Sequence, residues 1–496
     1  MKKYVTEGIE EYLDKAPAPW HMPGHKRKPS KQKSVGIIDR ALDLAQAVDV
    51  TEVPGTDDLY NPREIIKDSL NNLTEIYKTY ASYYLVNGAT CGILTAITAC
   101  FRGNSENSGN NKIIVARNCH KSVYNAVELL GLEPVYIYPD SLGKSDKYMP
   151  DIDGSIDPER VRKICENTQG IGAMVLTSPT YEGVISPVEA ISNILKEYNI
   201  RLIVDEAHGA HLPFNEYAPE SSIHKGADLV IHSLHKTMNS LTQTALLHVM
   251  KKEMDEDVRR YLGVYMTSSP SYLLMYSMER GIAKGIDENY NEYNQRLVEF
   301  RDRCKNLKFV RVLEKKSAKA AGAWDYDITR IVITTIFNKA GLENSRPGMW
   351  TNSYIAGTWL GFKLDKIGKL VVEMTGTDYA VLISTPADSV EDFEYLYRGL
   401  AILDSEIEAM CSNEKSNIKS NSLRNFVTES GLDTNAAKTI SSDKILQLVG
   451  TKAIDNVYVY PPGSYILTRG EIITNTIARK LIEYVEQGKE IRGRLQ

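Results

Sequence analysis

Several things are scarce in this sequence, and each scarcity removes a class of protein. No apolar run approaches the length of a membrane-spanning helix, so no membrane partner is expected. Cysteine is rare, and Cys91, Cys100, Cys119, Cys165, Cys304 and Cys411 form neither a CxxC pair nor a metal-ligand spacing. That pattern argues against a disulfide scaffold and a structural metal, and for free thiols. Net charge is low, 59 Lys and Arg against 64 Asp and Glu. No broad basic field is therefore on offer to nucleic acid. The short His25-Lys26-Arg27-Lys28 stretch reads as a solvated or site-facing loop. The first residues run straight into Glu7, Glu10 and Glu11 and lack the apolar segment of a secretion signal. A cytoplasmic protein is the expectation. Phenylalanine is also scarce, at 8 against 29 tyrosines. The tyrosines are scattered, and no function follows from them.

What is present is ordinary in amount and particular in order. Hydrophobic residues make up 42% and charged residues 25%, as in globular proteins. A chain of 496 residues calls for two or three domains, and no internal repeat is visible. Short apolar runs at 83–86, 112–116, 134–138, 173–177, 201–204, 229–233 and 244–250 alternate with helical patterns such as 122–130, 158–167 and 188–198. Asp157 can cap the second of these helices, and Pro158 suits its first position. Continuous Val/Ile/Leu strands separated by helices predict a mostly parallel sheet covered on both faces, a doubly wound α/β domain. Residues 311–412 read as a smaller α+β unit with strands at 331–335 and 380–384. Residues 413–425 read as a polar linker, and 426–496 as a compact tail. The first 65 residues form an arm that is ordered against the rest of the protein or a partner subunit. The stretch 104–111 reads as a polar surface loop.

Ligands bind at the carboxyl ends of strands in such sheets, so those ends are the places to inspect. Four carry unusual chemistry: Asn87-Gly88-Ala89-Thr90, Arg117-Asn118-Cys119-His120, Asp205-Glu206-Ala207-His208-Gly209-Ala210-His211, and Ser233-Leu234-His235-Lys236-Thr237. Together they match the parts of a pyridoxal-phosphate (PLP) site. Lys236 supplies an amine for covalent attachment of the cofactor. Asp205 supplies a carboxylate against the pyridine nitrogen, so that the ring works as an electron sink. The Gly88–Thr90 turn and Ser233 supply phosphate contacts at a helix start, and His120 supplies a ring to stack on the cofactor. Each part also has an ordinary reading. Asp205 is a turn or cap residue, Lys236 a solvated lysine, Gly88-Ala89-Thr90 a plain strand–helix turn, and His120 a helix cap. His208 and His211, spaced i to i+3 with Glu206 nearby, suggest zinc on a helix. Gly209 and the strand-end position favour a loop instead, so no metal is expected. His208 then belongs near the cofactor's ring oxygen, and His211 is structural.

The sequence resembles the bacterial Orn/Lys/Arg decarboxylases of the fold type I PLP class. The likeness runs through His21-Met22-Pro23-Gly24-His25-Lys26, Pro54-Gly55-Thr56-Asp57-Asp58-Leu59, Arg117–Ser122 and Ser178-Pro179-Thr180-Tyr181-Glu182-Gly183. It continues through Asp205–His211, Ser233–Thr237, Ser268-Ser269-Pro270-Ser271-Tyr272 and Tyr460-Pro461-Pro462-Gly463. It implies an α/β fold: a PLP-dependent transferase-like large domain over 66–310 with a mostly parallel sheet, a smaller α+β domain over 311–412, and a C-terminal family-specific domain within 413–496. The arm at 1–65 would carry an active-site and dimer segment. The resemblance implies PLP as cofactor, a basic amino acid as substrate, and a role in polyamine biosynthesis. It implies the short form without a receiver-like N-terminal domain, as a homodimer or dimer of dimers. It makes Lys236 the Schiff-base lysine and Asp205 the pyridinium partner, with His120 on the ring. Ala89, Thr90, Ser233 and His235 become phosphate ligands, and Thr180 and His208 neighbours of the ring oxygen. Ser268, within 267–269 of a second subunit, would approach the phosphate. Asp57, Asp58 and Glu471 would hold the substrate's far cation. His235 or Lys236 would return the proton after CO2 leaves. Two places depart from the family: Ser464-Tyr465 with Arg469-Gly470-Glu471, and Met238-Asn239-Ser240. They leave the substrate open. An aminotransferase or aldolase built on the same site is the first alternative, with Arg330 as the candidate carboxylate-binding arginine; Arg330 also opens a strand pattern, which gives it a structural reading. A PLP-binding homologue that has lost catalysis is the second.

Overall fold

The computed structural model describes residues 1–16, 18–28, 36–103, 110–142, 149–335, 350–351, 354–355, 357–413, 442–459, 465–486 and 491–495. Its largest element is a seven-stranded sheet. The strands are β1 (Ala81–Leu85), β2 (Lys112–Ala116), β3 (Glu133–Ile137), β4 (Ile171–Thr177), β5 (Arg201–Asp205), β6 (Leu229–Ser233) and β7 (Ala245–Val249), in the spatial order β1-β7-β6-β5-β4-β2-β3. The pairings β2–β3, β2–β4, β4–β5 and β5–β6 are parallel, while β7 runs antiparallel to β6 and β1. All seven runs read from the sequence lie on these strands. The ends differ by one or two residues, as expected where strand ends fray. Every residue of β6 and β7 is buried, because helices cover both faces and no strand position is left for water.

The crossover helices are Gly88–Arg102, Lys121–Leu130, Pro158–Asn167 and Val188–Glu197. Asp157 does cap the third, accepting the Glu159 backbone N–H at 3.0 Å. Gly92 lets the first lie close to the sheet: a Cβ there would stand 2.5 Å from Leu85 Cδ1. The helix Tyr4–Asp14 docks on the large core through Val5 and Ile9. Its first turn is held by the buried Glu279, whose carboxylate accepts the Val5 and Thr6 backbone N–H groups at 3.0 Å.

A second sheet is antiparallel, ordered Met374–Thr375, Ala380–Ile383, Arg330–Thr335, Val310–Val312. Its core draws on Phe300 and Leu297 of the helix Tyr290–Cys304, and on Leu360 and Leu400 of the helices Gly357–Gly368 and Val390–Asn413. A two-residue ladder, Asp325–Tyr326 with Val184–Ile185, ties this unit to the loop after β4. The tail forms a third core, with strands Val457–Val459, Tyr465–Leu467 and Ile491–Arg492 packed by the helix Asn475–Glu486. The motif residues 460–464, most of the linker and most of the 104–111 loop lie outside the described residues. Cys91, Cys100, Cys119, Cys165 and Cys304 are free and buried. Among the described residues, no helix is long and apolar enough to cross a membrane.

Candidate active site

The carboxyl ends of β2, β4, β5 and β6 and the amino end of the helix Gly88–Arg102 open into one cavity of about 840 Å³, a size suited to a cofactor with its substrate. Asp205 ends β5 and Lys236 lies three residues past β6, and both reach the cavity. Lys236 Nζ lies 2.9 Å from His208 Nε2. Burial holds the Lys236 amine below its ordinary value. Asp205 opposes that shift and Arg330 adds to it. A weaker hold on its proton makes the amine's lone pair more readily available for attack. The His208 ring is held well below its ordinary value, first by burial and then by the charges of Lys236 and Arg330. It packs against the Tyr181 ring at 4.2 Å between centres.

His120 satisfies both of its readings. Its Nδ1 accepts the Ser122 backbone N–H at 3.3 Å and caps the helix Lys121–Leu130, while the residue lines the cavity. Ala89, Thr90, Thr180, Ser233 and His235 also line the cavity. His235 Nδ1 contacts the Thr244 carbonyl at 3.1 Å. A carbonyl only accepts, so Nδ1 carries the hydrogen. The Thr180 hydroxyl accepts the Val184 backbone N–H at 3.2 Å. Gly88 sits at φ +78° and opens a 15-residue helix. The free N–H groups and positive dipole end of that helix suit a phosphate.

Other expected residues are not brought together with these. Asp57 and Asp58 stay away from the cavity of their own chain. The Asp57 carboxylate accepts backbone N–H groups from Arg63, Glu64 and Ile66, each at 2.9 Å, at the start of the helix Ile65–Tyr77. Burial alone would raise its pKa, but these bonds pull it below the ordinary value. The Asp58 carboxylate accepts from the Tyr60 backbone N–H at 2.8 Å. Both carboxylates thus serve local turns. Ser268 is exposed and also lies off the cavity wall. Glu471 does reach the cavity, but it pairs with Arg117 at 3.0 Å and accepts from the Thr468 backbone N–H at 2.8 Å. Arg330 is fully buried, turned toward the His208 carbonyl at 2.7 Å, and absent from the wall. His208 and His211 face different partners, Lys236 and Asp327. No group of three or more His, Cys, Asp or Glu among the described residues is arranged to hold a metal.

Strand-end inspection missed the far walls. Asp153, Thr377, Tyr379 and Lys480 come from the loop after β3, the second sheet and the tail helix. None stands at a strand end of the large sheet. Glu182 lies inside the Ser178–Gly183 motif and could have been singled out there. It accepts from the Tyr379 hydroxyl at 2.6 Å. The Asp153 carboxyl is pushed up to about 6 by burial, against the pull of Lys480 and with Glu182 and Asp151 adding to the rise.

The residues present fit pyridoxal phosphate. A lysine amine whose hold on its proton is weakened, a carboxylate and a helix amino end share one cavity. The Thr177 hydroxyl, in register with Asp205 on the neighbouring strand, lines the cavity without a hydrogen-bond partner among the described residues. The same cavity could not serve a dinucleotide in the usual way, since no Gly-x-Gly-x-x-Gly turn follows β1.

Comparison with known proteins agrees. The family model of the Orn/Lys/Arg decarboxylase major domain matches residues 5–341. The arginine decarboxylase of Bacillus subtilis (strain 168) is 25% identical over 98% of this chain and 94% of its own length. That of Halalkalibacterium halodurans is 26% identical over 99% and 94%. The crystal structure of the Francisella novicida lysine decarboxylase LdcF superposes with a TM-score of 0.74 at 18% identity, over 99% of this chain and 79% of that one. At that identity the superposition speaks for the fold. With the family model covering more than half of the sequence, the chain belongs to the Orn/Lys/Arg decarboxylase family, the PLP-dependent enzymes that decarboxylate basic amino acids.

Proposed function

We propose that the preferred substrate is arginine, which the chain converts to agmatine and CO2, and that it works as a cytoplasmic homodimer feeding polyamine biosynthesis. The observation that carries the chemistry is the half-buried Lys236 amine, 2.9 Å from His208 in the cavity that Asp205 also lines. The choice of arginine is supported by the near full-length match to the two arginine decarboxylases.

Pyridoxal phosphate, when bound, supplies an electron sink for the pair left behind as CO2 departs. The chain's own groups do the rest. Lys236 would hold the cofactor through its amine. Asp205 sets a negative charge against the ring nitrogen and keeps it protonated. His120, on the cavity wall, would stack on the cofactor's ring. Ala89, Thr90, Ser233 and His235 hold the phosphate with the helix amino end, and Thr180 and His208 neighbour the ring oxygen. His235 or Lys236 returns one proton to the α-carbon, so one arginine and one proton give one agmatine and one CO2. Glu471, whose Oε2 holds Arg117 and Thr468, would also meet the substrate's far cation, which a buried site accepts only when paired. Asp58 and Ser268 serve the site of a second copy rather than their own.

Dimer formation is supported by the helix Ile37–Val48. It buries no residue, and it leaves Ile37, Ile38 and Leu44 more than 70% exposed. Such a contiguous apolar face marks an interaction surface.

The test is direct. Purified protein with PLP is given arginine, lysine or ornithine, and CO2 and amine are measured. Agmatine forms with kcat/KM at least about tenfold above the other two. Amino-group transfer to a keto acid, with no amine from any of the three, overturns the reading.

A further inference from the structure

Arg330 begins the second sheet's strand Arg330–Thr335 and is completely buried. Its Nη2 donates to the His208 backbone carbonyl at 2.7 Å and lies 3.5 Å from His208 Nδ1. Its Nη1 donates to the Thr329 hydroxyl at 3.3 Å. Gly183, at φ +99°, makes room for this arrangement. A Cβ there would stand 2.9 Å from Arg330 Cγ and 2.8 Å from the Asp327 carbonyl oxygen.

A buried guanidinium needs a counter-charge. Asp327 provides one. Burial would favour its neutral form, but His211 at 3.2 Å and the charge of Arg330 hold its carboxyl well below the ordinary range. The charges of Arg330 and Asp327 therefore favour each other.

A neutral imidazole has one N–H and one lone pair, whereas a guanidinium only donates. A hydrogen on His208 Nδ1 would face a cation 3.5 Å away. Of the two neighbours only the Lys236 nitrogen, 2.9 Å from Nε2, has a lone pair to offer once it is free of its proton, and a guanidinium never has one; a lone pair on Nδ1 with the hydrogen on Nε2 satisfies both. We propose that Arg330 is a positioning residue that fixes His208 as its Nε2–H tautomer, with that hydrogen aimed at Lys236. The same hydrogen then serves the cofactor's ring oxygen, a clause that rests on the PLP reading of the site. The charged groups around the ring bear on its neutrality and not on which nitrogen carries the one hydrogen. Lys236, Arg330, His120 and His235 all disfavour a proton on His208. Around Lys236, Asp205 and Glu373 oppose burial and Arg330.

The test begins with cofactor-free protein labelled with 15N-histidine. Its long-range 1H–15N spectrum is recorded near neutral pH, and the His208 ring is assigned by its loss in His208→Gln. His208 is expected as Nε2–H in the unaltered protein. Arg330→Gln moves it to Nδ1–H or a mixture, and Arg330→Lys, which keeps the charge, holds it at Nε2–H. A second readout is the pH midpoint of the visible absorbance after PLP is added. Arg330→Gln raises that midpoint by about 1 unit, and Arg330→Lys does not. An Nδ1–H ring in the unaltered protein overturns the proposal. So does an Arg330→Gln protein with unchanged tautomer and midpoint. The spectrum of the unaltered protein decides the matter even where Arg330→Gln does not fold. Failure to acquire visible absorbance with PLP overturns the cofactor reading alone and leaves the tautomer measurement standing.

Discussion

Lys236 shows how one side chain acquires a role from its surroundings. In water its amine holds a proton firmly; burial weakens that hold, Asp205 opposes the change and Arg330 adds to it. Replacing Asp205 with Asn keeps the shape and removes the charge. The ring nitrogen then loses about 1 to 3 pKa units of support, and kcat falls about 10- to 1,000-fold. Stopped-flow or steady-state amine release measures this, with PLP binding checked by absorbance. Lys236→Ala protein acquires no visible band with PLP. The protein's pH response is set partly by His248. It lies between His232 at 3.2 Å and Ser82 at 2.8 Å, fully buried, and burial holds it well below 6.5. The unfolded chain binds a proton there that the folded chain refuses. Stability is therefore complete above an unfolded value near 6.5 and is lost as pH falls below it. Urea unfolding from about pH 7 to about pH 5 should show that loss, with a shallower slope in His248→Gln.

At the scale of elements, two carboxylates expected at the substrate also hold structure together. Asp57 fixes the start of the helix Ile65–Tyr77 through backbone N–H groups. Asp57→Ala should lower stability by about 1 to 2 kcal/mol, as loss of a cap does. KM of the folded fraction stays unchanged, and a KM rise without loss of stability would show a substrate role instead. Arg117 joins the tail to the large sheet. It pairs with Glu471 at 3.0 Å and donates to the Ile466 carbonyl at 3.0 Å. Arg117→Ala leaves a part-buried carboxylate unpaired at a cost of about 3 kcal/mol. The tail then becomes sensitive to limited proteolysis ahead of the large domain, which gel analysis resolves.

For the whole molecule, the cavity has walls from the large sheet, the second sheet and the tail, so no one unit holds it alone. The apolar face of the helix Ile37–Val48 would bring a second copy. Ile38→Asp with Leu44→Asp should shift the protein to monomer in sedimentation velocity. Activity should then fall, because loops from a second copy no longer reach the site. Unchanged sedimentation of that double variant would place the subunit contact elsewhere.

The sequence by itself determined the large sheet. Strands buried on both faces must read as continuous apolar runs, and β2 and β6 stand where those runs predict. It also determined Asp205, Lys236, His120 and the Gly88 turn as candidates, because strand ends are local in the chain and parallel strands bring them to one edge. Only the tertiary structure decided which carboxylates face the cavity. Asp57 and Asp153 look alike in sequence, yet one caps a helix and the other lines the wall. That choice depends on packing between segments far apart in the chain, where backbone N–H groups and neighbouring charges compete for each carboxylate. The turning of Arg330 away from the cavity was settled in the same way, by a glycine in another strand connection and a counter-charge at Asp327.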